Sequence, residues 1–290
     1  MNIAHLIMTY TCPHLTERLI KMISHPGFDF FIHVDKKIDI KPYLYLSSLP
    51  NVFLIKNRED VRWAGYNTIL ATFKCIREIC STGKKYQYIN FLSGQDYPLK
   101  SASFIFDFFK RNRGKEFLAY KSYVHEWPEG LKRVKEYSFV NFRFPAMHFL
   151  EKIVNRILPS RSLPYNYHPY GDSMFWMLSP ECALYVTDKI MNDRKLNAYF
   201  RYTWGSDEFA FQTVLLNSEY RDRVVNNNYR YIDWSGGGSH PKILGIEDEQ
   251  NLRATPMLFG RKFDYNSDRR ILDVIDNIIR DGSTVTNKNI

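Results

Sequence analysis

Several features that would point to a common function are missing from this 290-residue sequence. Its four cysteines form no CxxC pair and no cysteine–histidine spacing typical of a zinc site, so we interpret them as reduced and mostly buried thiols. No apolar run approaches the roughly 20 residues of a membrane-spanning helix. The opening MNIAHLIMTY has no basic segment and is too short for a signal peptide. These absences predict a cytoplasmic location, with at most peripheral contact with the inner face of a membrane.

Motifs for phosphate and metal are also scarce. The loop patterns GxxxxGK[ST] and GxGxxG do not occur, which excludes two familiar phosphate-binding turns. The glycine-rich SGGGSHPK (Ser235–Lys242) follows a predicted strand without opening a helix, so we interpret it as a loop; a flap that turns His240 and Lys242 inward is the alternative. No Asp-x-Asp follows a strand, and the acidic run Glu247–Glu249 lies in a stretch typical of a solvated helix. The sequence therefore predicts no bound metal and no cofactor.

What the sequence does have is positive charge and aromatic side chains. Its 40 lysines and arginines leave a net charge of +9, and 16% of its residues are aromatic. Such a surplus attracts nucleic acid, anionic lipid or a phosphorylated small molecule, while aromatic faces suit flat ligands and sugar rings. A basic surface that serves solubility alone stays open, as does a module that binds a polyanion or nucleic acid without catalysis. The basic residues are spread among acidic ones and form no tail-like block, which favours a partner other than nucleic acid.

Strand and helix patterns alternate along much of the chain. Short apolar runs predict strands at residues 2–10, 29–35, 51–56, 86–93, 115–120, 171–179 and 229–234. Helical spacing of apolar residues predicts helices at 13–24, 65–80, 101–112, from 180 onward, at 205–218 and around 271–279. This order predicts an α/β fold with a mostly parallel central sheet flanked by helices. We expect one domain over residues 1–280 and a frayed polar tail at 281–290.

Polar side chains follow two of the predicted strands. Because ligands of open α/β sheets bind beyond the carboxyl ends of the strands, the loops there are candidate sites. Asp35 ends one strand and precedes two lysines; its carboxylate suits a base or a ribose, and a simple turn is the equal alternative. Gln95 and Asp96 form a polar cluster in the loop SGQDYPLKS, where an Asx-turn would explain Asp96 alone. Both loops are therefore candidate ligand-binding positions.

A pair of carboxylates and a group of cations complete the candidate set. Asp207 and Glu208 lie in WGSDEFAFQT at a predicted helix start, where they could decorate the helix, bind metal or act as a base. Arg253, Arg261 and Lys262 surround an apolar strand in NLRATPMLFGRKFD. Since no Asp-x-Asp is present, cations would have to hold a diphosphate. One cation about 4 Å from a phosphate is worth about 4 kcal/mol at an effective dielectric of about 20, so two or three could replace a metal; an ordinary basic surface is the alternative.

The chain resembles the core-2/I-branching β-1,6-N-acetylglucosaminyltransferases and the related peptide O-xylosyltransferases. The stretches that carry this resemblance follow the family's order, and they are IHVDKK, VRWAGYNTILATFKCI, YINFLSGQDYPLKS, RVKEYSF, GDSMFWMLSPECALYV, SDEFAFQTVLLNS, YIDWSGGGSHPK and LFGRKFD. Together they span residues 32–264. The pair Ala64–Gly65 departs from the family's WGG. No arginine matches the one that binds diphosphate in some branching enzymes, and Lys242 or His240 is the candidate replacement.

The resemblance implies a GT-A-like nucleotide-sugar transferase fold and an inverting reaction without metal. A sugar, GlcNAc first and xylose as the alternative, would pass from a UDP-sugar to a hydroxyl of a glycan acceptor with a β-linkage. The motif positions imply Glu208 as the general base, and the missing membrane anchor and disulfides of animal members imply a bacterial cytoplasmic version. Donor contacts are implied for Val34, Asp35, Lys242, Arg253, Arg261 and Lys262. Acceptor contacts are expected for Gln95, Asp96, Trp176 and Asp207.

Overall fold

The computed structural model of the protein describes residues 1–142, 144–238 and 240–282. Of the polar tail expected at 281–290, only Asp281 and Gly282 fall within these residues, and the rest of that prediction lies outside them.

A seven-stranded sheet forms the centre of the fold, in the order β3-β2-β1-β4-β7-β6-β8. Its strands are β1 (Ile3–Thr9), β2 (Phe28–Val34), β3 (Val52–Leu54), β4 (Tyr88–Ser93), β6 (Glu116–Ser122), β7 (Tyr170–Leu178) and β8 (Val224–Val225). Strands β3, β2, β1 and β4 are parallel to one another. Strand β7 runs antiparallel to both β4 and β6, and β8 is parallel to β6. The predicted mixed α/β fold with a mostly parallel sheet is confirmed.

Burial on both faces explains why β1 and β2 have nearly unbroken apolar sequences. Parallel strands covered by helices on each side lack a solvent face and therefore lack alternation. Every residue of β2 is buried, including His33 and Asp29. Ile7 of β1 lies between Ile32 of β2 and Leu92 of β4, at the middle of the sheet.

Ten α-helices in the described residues surround the sheet or extend from it. They are α1 (Pro13–Met22), α2 (Tyr66–Ser81), α3 (Ala102–Arg111), α4 (Leu131–Lys135), α5 (Met147–Ile157), α6 (Pro180–Asn192), α7 (Arg194–Arg201), α8 (Ala210–Leu216), α9 (Glu249–Ala254) and α10 (Arg269–Arg280). Apolar residues of α2, α6, α7 and α8 pack in one core cluster, and those of α1, α3 and α10 pack in another. In the part of the chain that the structure describes, we find no helix with the length and apolarity that crossing a bilayer requires.

A second sheet joins the C-terminal part of the chain to the loop after β4. It consists of β5 (Tyr97–Pro98), β10 (Phe259–Arg261) and β9 (Arg230–Ile232), with β10 in the middle. The backbone N–H of Phe263, just after β10, donates to the carbonyl of Gln95 at 2.9 Å. The small sheet thereby brings the basic C-terminal motif to the carboxyl end of β4.

Two local predictions were wrong. The helix expected over 205–218 is split into a 3-10 turn, Ser206–Glu208, and α8. The Ser206 hydroxyl is buried, and within the described residues it has no hydrogen-bond partner that would make it a helix cap. The acidic run Glu247–Glu249 is not a solvated helix: it spans the end of a 3-10 turn and the start of α9, with Asp248 buried.

Candidate active site

Glu208 lies on a tight turn that only a glycine-containing sequence builds easily. Gly205 has a φ of +64°, in the left-handed region that disfavours residues with a Cβ. The backbone N–H of Glu208 donates to the Gly205 carbonyl at 3.1 Å. Gly171 of β7 lets the strand approach this turn, because a Cβ there would lie 2.4 Å from the Cβ of Phe209. The turn therefore sits directly against β7.

Arg133 of α4 holds the Glu208 carboxylate. Its Nη1 donates to Glu208 Oε2, and its guanidinium lies over the Trp127 ring at 4.8 Å and the Trp204 ring at 4.6 Å. A charge-assisted hydrogen bond of this kind fixes the direction of the carboxylate. The Glu208 side chain nevertheless stays 36% exposed. Glu208 is therefore an oriented carboxylate that still faces solvent.

Asp207 has a different environment from its neighbour. Its Oδ1 is buried and has no hydrogen-bond partner. Burial, and next the charge of Glu208, raise the pKa of Asp207 to about 7. At neutral pH this carboxyl is protonated in a large share of molecules, so it can donate a hydrogen bond to a substrate hydroxyl. The two adjacent carboxyls therefore have different environments, since an oxygen of Asp207 is buried and Glu208 is paired with Arg133.

Aromatic side chains form a rim beside Glu208. Trp63 meets Trp204 edge-on with ring centroids 5.4 Å apart, and it also meets His240 at 5.6 Å. The carbonyl of Ala64 accepts the N–H of Gly205 at 2.8 Å, which ties the segment before α2 to the Glu208 turn. Trp63 is largely exposed and so is available to a sugar ring. The contact of His240 with Trp63 agrees with the flap alternative for the glycine-rich loop.

Arg261 lies over the side chain of Phe175 on β7. Its Nε donates to Asp96 Oδ1 at 3.1 Å, and its guanidinium lies 4.1 Å over the ring of Phe175 on β7. Asp96 is fully buried and also accepts hydrogen bonds from the hydroxyl and the N–H of Ser93. Asp96 therefore positions Arg261, and the expected acceptor contact of Asp96 is wrong because its carboxylate has no solvent access.

The surroundings of Arg261 hold more positive than negative charge. Lys262 is partly buried and its ammonium makes no hydrogen bond or ion pair within the described residues; burial, and next the charge of Arg261, lower its pKa. Arg230 is buried nearby, and burial lowers its pKa to about 10, so it remains charged at neutral pH. Asp96 is the one carboxylate in contact with Arg261 among the described residues. These three cations outnumber the two carboxylates that act on them, Asp96 and Asp264, which favours an anionic ligand.

A cavity of about 380 Å³ opens beside this cationic group. It is lined by Thr11, Cys12, Leu15, Gln95, Phe263, Asp264, Tyr265 and Asn266. Gln95 thus lines the same cavity as residues 263–266, which directly follow Lys262. The structure does not bring Gln95 beside Glu208, where an acceptor contact was expected.

The loop after β2 is closed by internal contacts. Asp35 Oδ1 accepts the N–H of Lys37 at 2.9 Å, and the Lys37 ammonium lies 3.3 Å from Asp35 Oδ2. Val34 is buried and its carbonyl accepts from Arg58 Nε at 2.8 Å. The turn expected as the alternative for Asp35 is present. The expected donor contact of Val34 stays a prediction.

Trp176 belongs to the core. It is 1% exposed, and its ring packs 5.3 Å from Phe91 and 4.9 Å from Phe211. The expected acceptor contact of Trp176 is therefore wrong. Trp63 is the exposed indole in this region, and no role was inferred for it from the sequence.

Two basic residues expected to bind the donor are already neutralised by carboxylates. Lys242 donates to Asp248 Oδ1 at 2.7 Å and lies 3.3 Å from Glu247. Arg253 on α9 is exposed and pairs with Glu249 at 2.8 Å, one helical turn away. The structure brings Arg261 and Lys262 together but leaves Lys242 and Arg253 in separate ion pairs.

Comparison with known proteins now identifies the family. A model of the Core-2/I-Branching enzyme family matches residues 3–253. The chain belongs to this family. Arg133 and Glu208 lie inside the matched region, whereas Arg261 and Lys262 follow it, so the role of the two cations rests on their geometry.

The relatives of this family member include xylosyltransferases from animals. It is 27% identical over 274 residues to xylosyltransferase oxt of Drosophila melanogaster, covering 85% of this chain and 30% of that protein. It is 24% identical over 292 residues to xylosyltransferase 2 of Homo sapiens, covering 90% and 31%. The chain thus spans about a third of the length of the curated relatives it matches.

A solved structure of similar shape is the apo form of mouse xyloside xylosyltransferase 1. The two share 10% sequence identity with a TM-score of 0.41, over 89% of this chain and 97% of the mouse chain. A likeness this loose supports no inference about substrate or mechanism.

Proposed function

We propose that this chain transfers a sugar from a UDP-sugar to a hydroxyl of a glycan acceptor, with inversion and without a metal. The supporting observation is the arrangement of charge along β7. Gly171 of this strand contacts the turn of Glu208, and Phe175 lies beneath Arg261. Four residues of strand separate these two points, or at most about 13 Å at about 3.3 Å per residue. The oriented carboxylate and the cationic group are thus supported by two positions of the same strand.

Glu208 is proposed as the general base. Its carboxylate takes the proton of the acceptor hydroxyl while that oxygen attacks C1 of the donor sugar and the bond from C1 to UDP breaks. A single displacement gives a β-linkage from an α-linked donor. Arg133 keeps Glu208 directed before substrate binds, which lowers the reorganisation required in the transition state.

Arg261 and Lys262 are proposed to stabilise the departing UDP. Negative charge grows on the diphosphate as the bond to C1 breaks, and each cation about 4 Å away contributes about 4 kcal/mol at an effective dielectric of about 20. Lys262 makes no hydrogen bond or ion pair within the described residues, although the charge of Asp264 acts on it. Asp96 and Phe175 fix Arg261 before the donor arrives, so little side-chain freedom is lost on binding.

UDP-GlcNAc is the first candidate donor and UDP-xylose the second. Xylose is favoured by the relatives described above, which are xylosyltransferases. A GT-A-like fold is part of the same proposal, supported by the parallel β3-β2-β1-β4 arrangement with candidate ligand groups at its carboxyl end. A thermal-shift comparison of UDP-GlcNAc, UDP-xylose, UDP-glucose and UDP-galactose identifies the donor. Salt-sensitive binding to random oligonucleotides with no response to UDP would instead favour the polyanion-binding alternative.

The decisive experiment replaces Glu208 by glutamine. We expect UDP affinity to change less than about threefold and transfer to fall by about a thousandfold, within the range of general-base contributions. Glu129→Gln, at an exposed carboxylate in the loop before α4, is the matched control and should keep full activity. Full turnover by the Glu208 variant would overturn the assignment. The same assay in EDTA tests metal independence, and a requirement for added Mn²⁺ would contradict it.

A further inference from the structure

Helix α5 turns its apolar side away from the protein. Its sequence MHFLEKIVNRI places six apolar residues on one face and polar residues on the other, yet none of its residues is buried. Phe149 is 67% exposed and Ile157 73% exposed, and Leu150 between them is also exposed. Phe144 and Leu158, just beyond the helix ends, extend the exposed apolar surface. We call Phe149, Leu150 and Ile157 the outer face of α5.

Hydrogen bonds from the polar side hold the helix in this orientation. Glu151 Oε2 accepts the N–H of Phe139 at 2.9 Å. The Asn155 side chain accepts the N–H of Tyr137 at 2.7 Å and donates to its carbonyl at 2.8 Å. Two residues along a helix point about 200° apart. Phe149 therefore lies opposite Glu151, and Ile157 opposite Asn155, so the docking of the polar side turns the outer face toward solvent.

Two free cations border the outer face. Lys152 and Arg156 follow one another by one helical turn and are exposed. Neither makes an ion pair or hydrogen bond within the described residues. Glu151 is the single acidic residue of α5 and is already engaged by the backbone of Phe139. An exposed apolar stripe with unneutralised basic residues on its flank is typical of helices that lie in a membrane interface.

We propose that α5 docks on an anionic lipid surface. The outer face enters the boundary between headgroups and acyl chains, while Lys152 and Arg156 contact lipid phosphates. A second copy of this chain fits the surface less well, because it brings the same two cations and a net charge of +9. An anionic bilayer supplies both an apolar layer and the opposite charge. This inference is independent of the proposed transfer reaction.

Vesicle flotation tests the proposal with the full-length chain. Vesicles of phosphatidylcholine alone are compared with vesicles containing about one-third phosphatidylglycerol, which carries the negative charge that attracts basic residues. We expect binding to the anionic vesicles, weakened by added salt, and little binding to the neutral ones. Phe149→Gln with Ile157→Gln should lower the partition coefficient at least about tenfold because apolar area is no longer buried. Lys152→Glu with Arg156→Glu should lower it by a similar factor.

Matched controls separate α5 from overall charge and hydrophobicity. Lys110→Glu with Arg113→Glu makes the same change in net charge at exposed positions near the end of α3, and should retain most of the binding. Leu44→Gln removes an exposed apolar side chain elsewhere and should have no effect. Equal loss in the controls and the α5 variants would overturn the proposal. So would a wild-type dimer in solution that Phe149→Gln dissociates, since a second copy would then cover the outer face.

Discussion

The buried carboxyl of Asp207 makes the stability of the fold depend on pH in a way that can be measured. Its pKa is about 7 in the folded chain because of burial and the neighbouring Glu208, and an unperturbed aspartate has a pKa near 3.9. Between these values the unfolded chain has released a proton that the folded chain still holds. The free energy of unfolding therefore falls as pH rises through this window. The contribution is complete below about pH 4 and is lost by about pH 7.

The size of the effect follows from the two pKa values. A difference of about three units corresponds to about 4 kcal/mol, at about 1.4 kcal/mol for each unit. From pH 4.5 to pH 7.5, the range most convenient for measurement, the expected loss is about 3 kcal/mol. Asp207→Asn removes the titrating proton and keeps the side-chain shape. The difference in unfolding free energy between wild type and this variant should therefore shift by about 3 kcal/mol across that range.

Urea unfolding at a series of pH values, followed by circular dichroism, measures this difference. Subtracting the variant from the wild type cancels other titrating groups that both chains share. Asp188→Asn, at an exposed carboxylate on α6, serves as control and should give a flat difference. Parallel curves for wild type and Asp207→Asn would refute the argument, because they would mean that Asp207 titrates alike in both states.

Four further variants test the candidate site. Arg133→Lys loses the planar guanidinium between two indoles and should lower kcat by about tenfold with little change in the KM for donor; a large rise in the donor KM would contradict a positioning role. Lys262→Ala should weaken UDP binding, measured by calorimetry, by about tenfold to a hundredfold. Lys242→Ala should weaken it by less than about threefold, because Lys242 already pairs with carboxylates. Equal losses of affinity would show that the two lysines are equivalent. Gly205→Ala should lower the free energy of unfolding by about 1–2 kcal/mol in chemical denaturation, since it combines a positive φ with a contact 3.1 Å from Arg133; an unchanged midpoint would contradict the strain.

The sequence predicts the sheet well because burial leaves a local signature. Strands β1, β2 and β4 are short apolar runs bounded by polar residues, and their predicted positions agree with the structure within a few residues. The predicted helix over 205–218 begins late because Gly205 is left-handed, and it is split at Phe209, which packs against Gly171 of β7 and has a φ of −141°. Propensity is a weak guide wherever tertiary contacts decide the backbone.

Site residues that belong to a sequence motif could be predicted. Residues whose role depends on a contact with a residue far away in the sequence could not. Glu208, Arg261 and Lys262 are exposed or partly exposed, as their motifs indicated; their catalytic and donor-binding roles stay predictions. Arg133 was missed because it meets Glu208 from 75 residues away. Trp176 was misplaced for the opposite reason, since nothing local shows that its indole points into the core.

The small three-stranded sheet has a consequence for the order in which the protein is made. Asp96 forms its ion pair with Arg261, which is synthesised 165 residues later. Arg261 lies on β10, and β10 pairs with β5, which begins directly after Asp96. A nascent chain ending before β10 would contain every strand of the large sheet and the Glu208 turn, yet it would lack both cations. Nucleotide binding should therefore arise only after the last strand has left the ribosome, and partly synthesised chains should leave the cellular donor pool untouched.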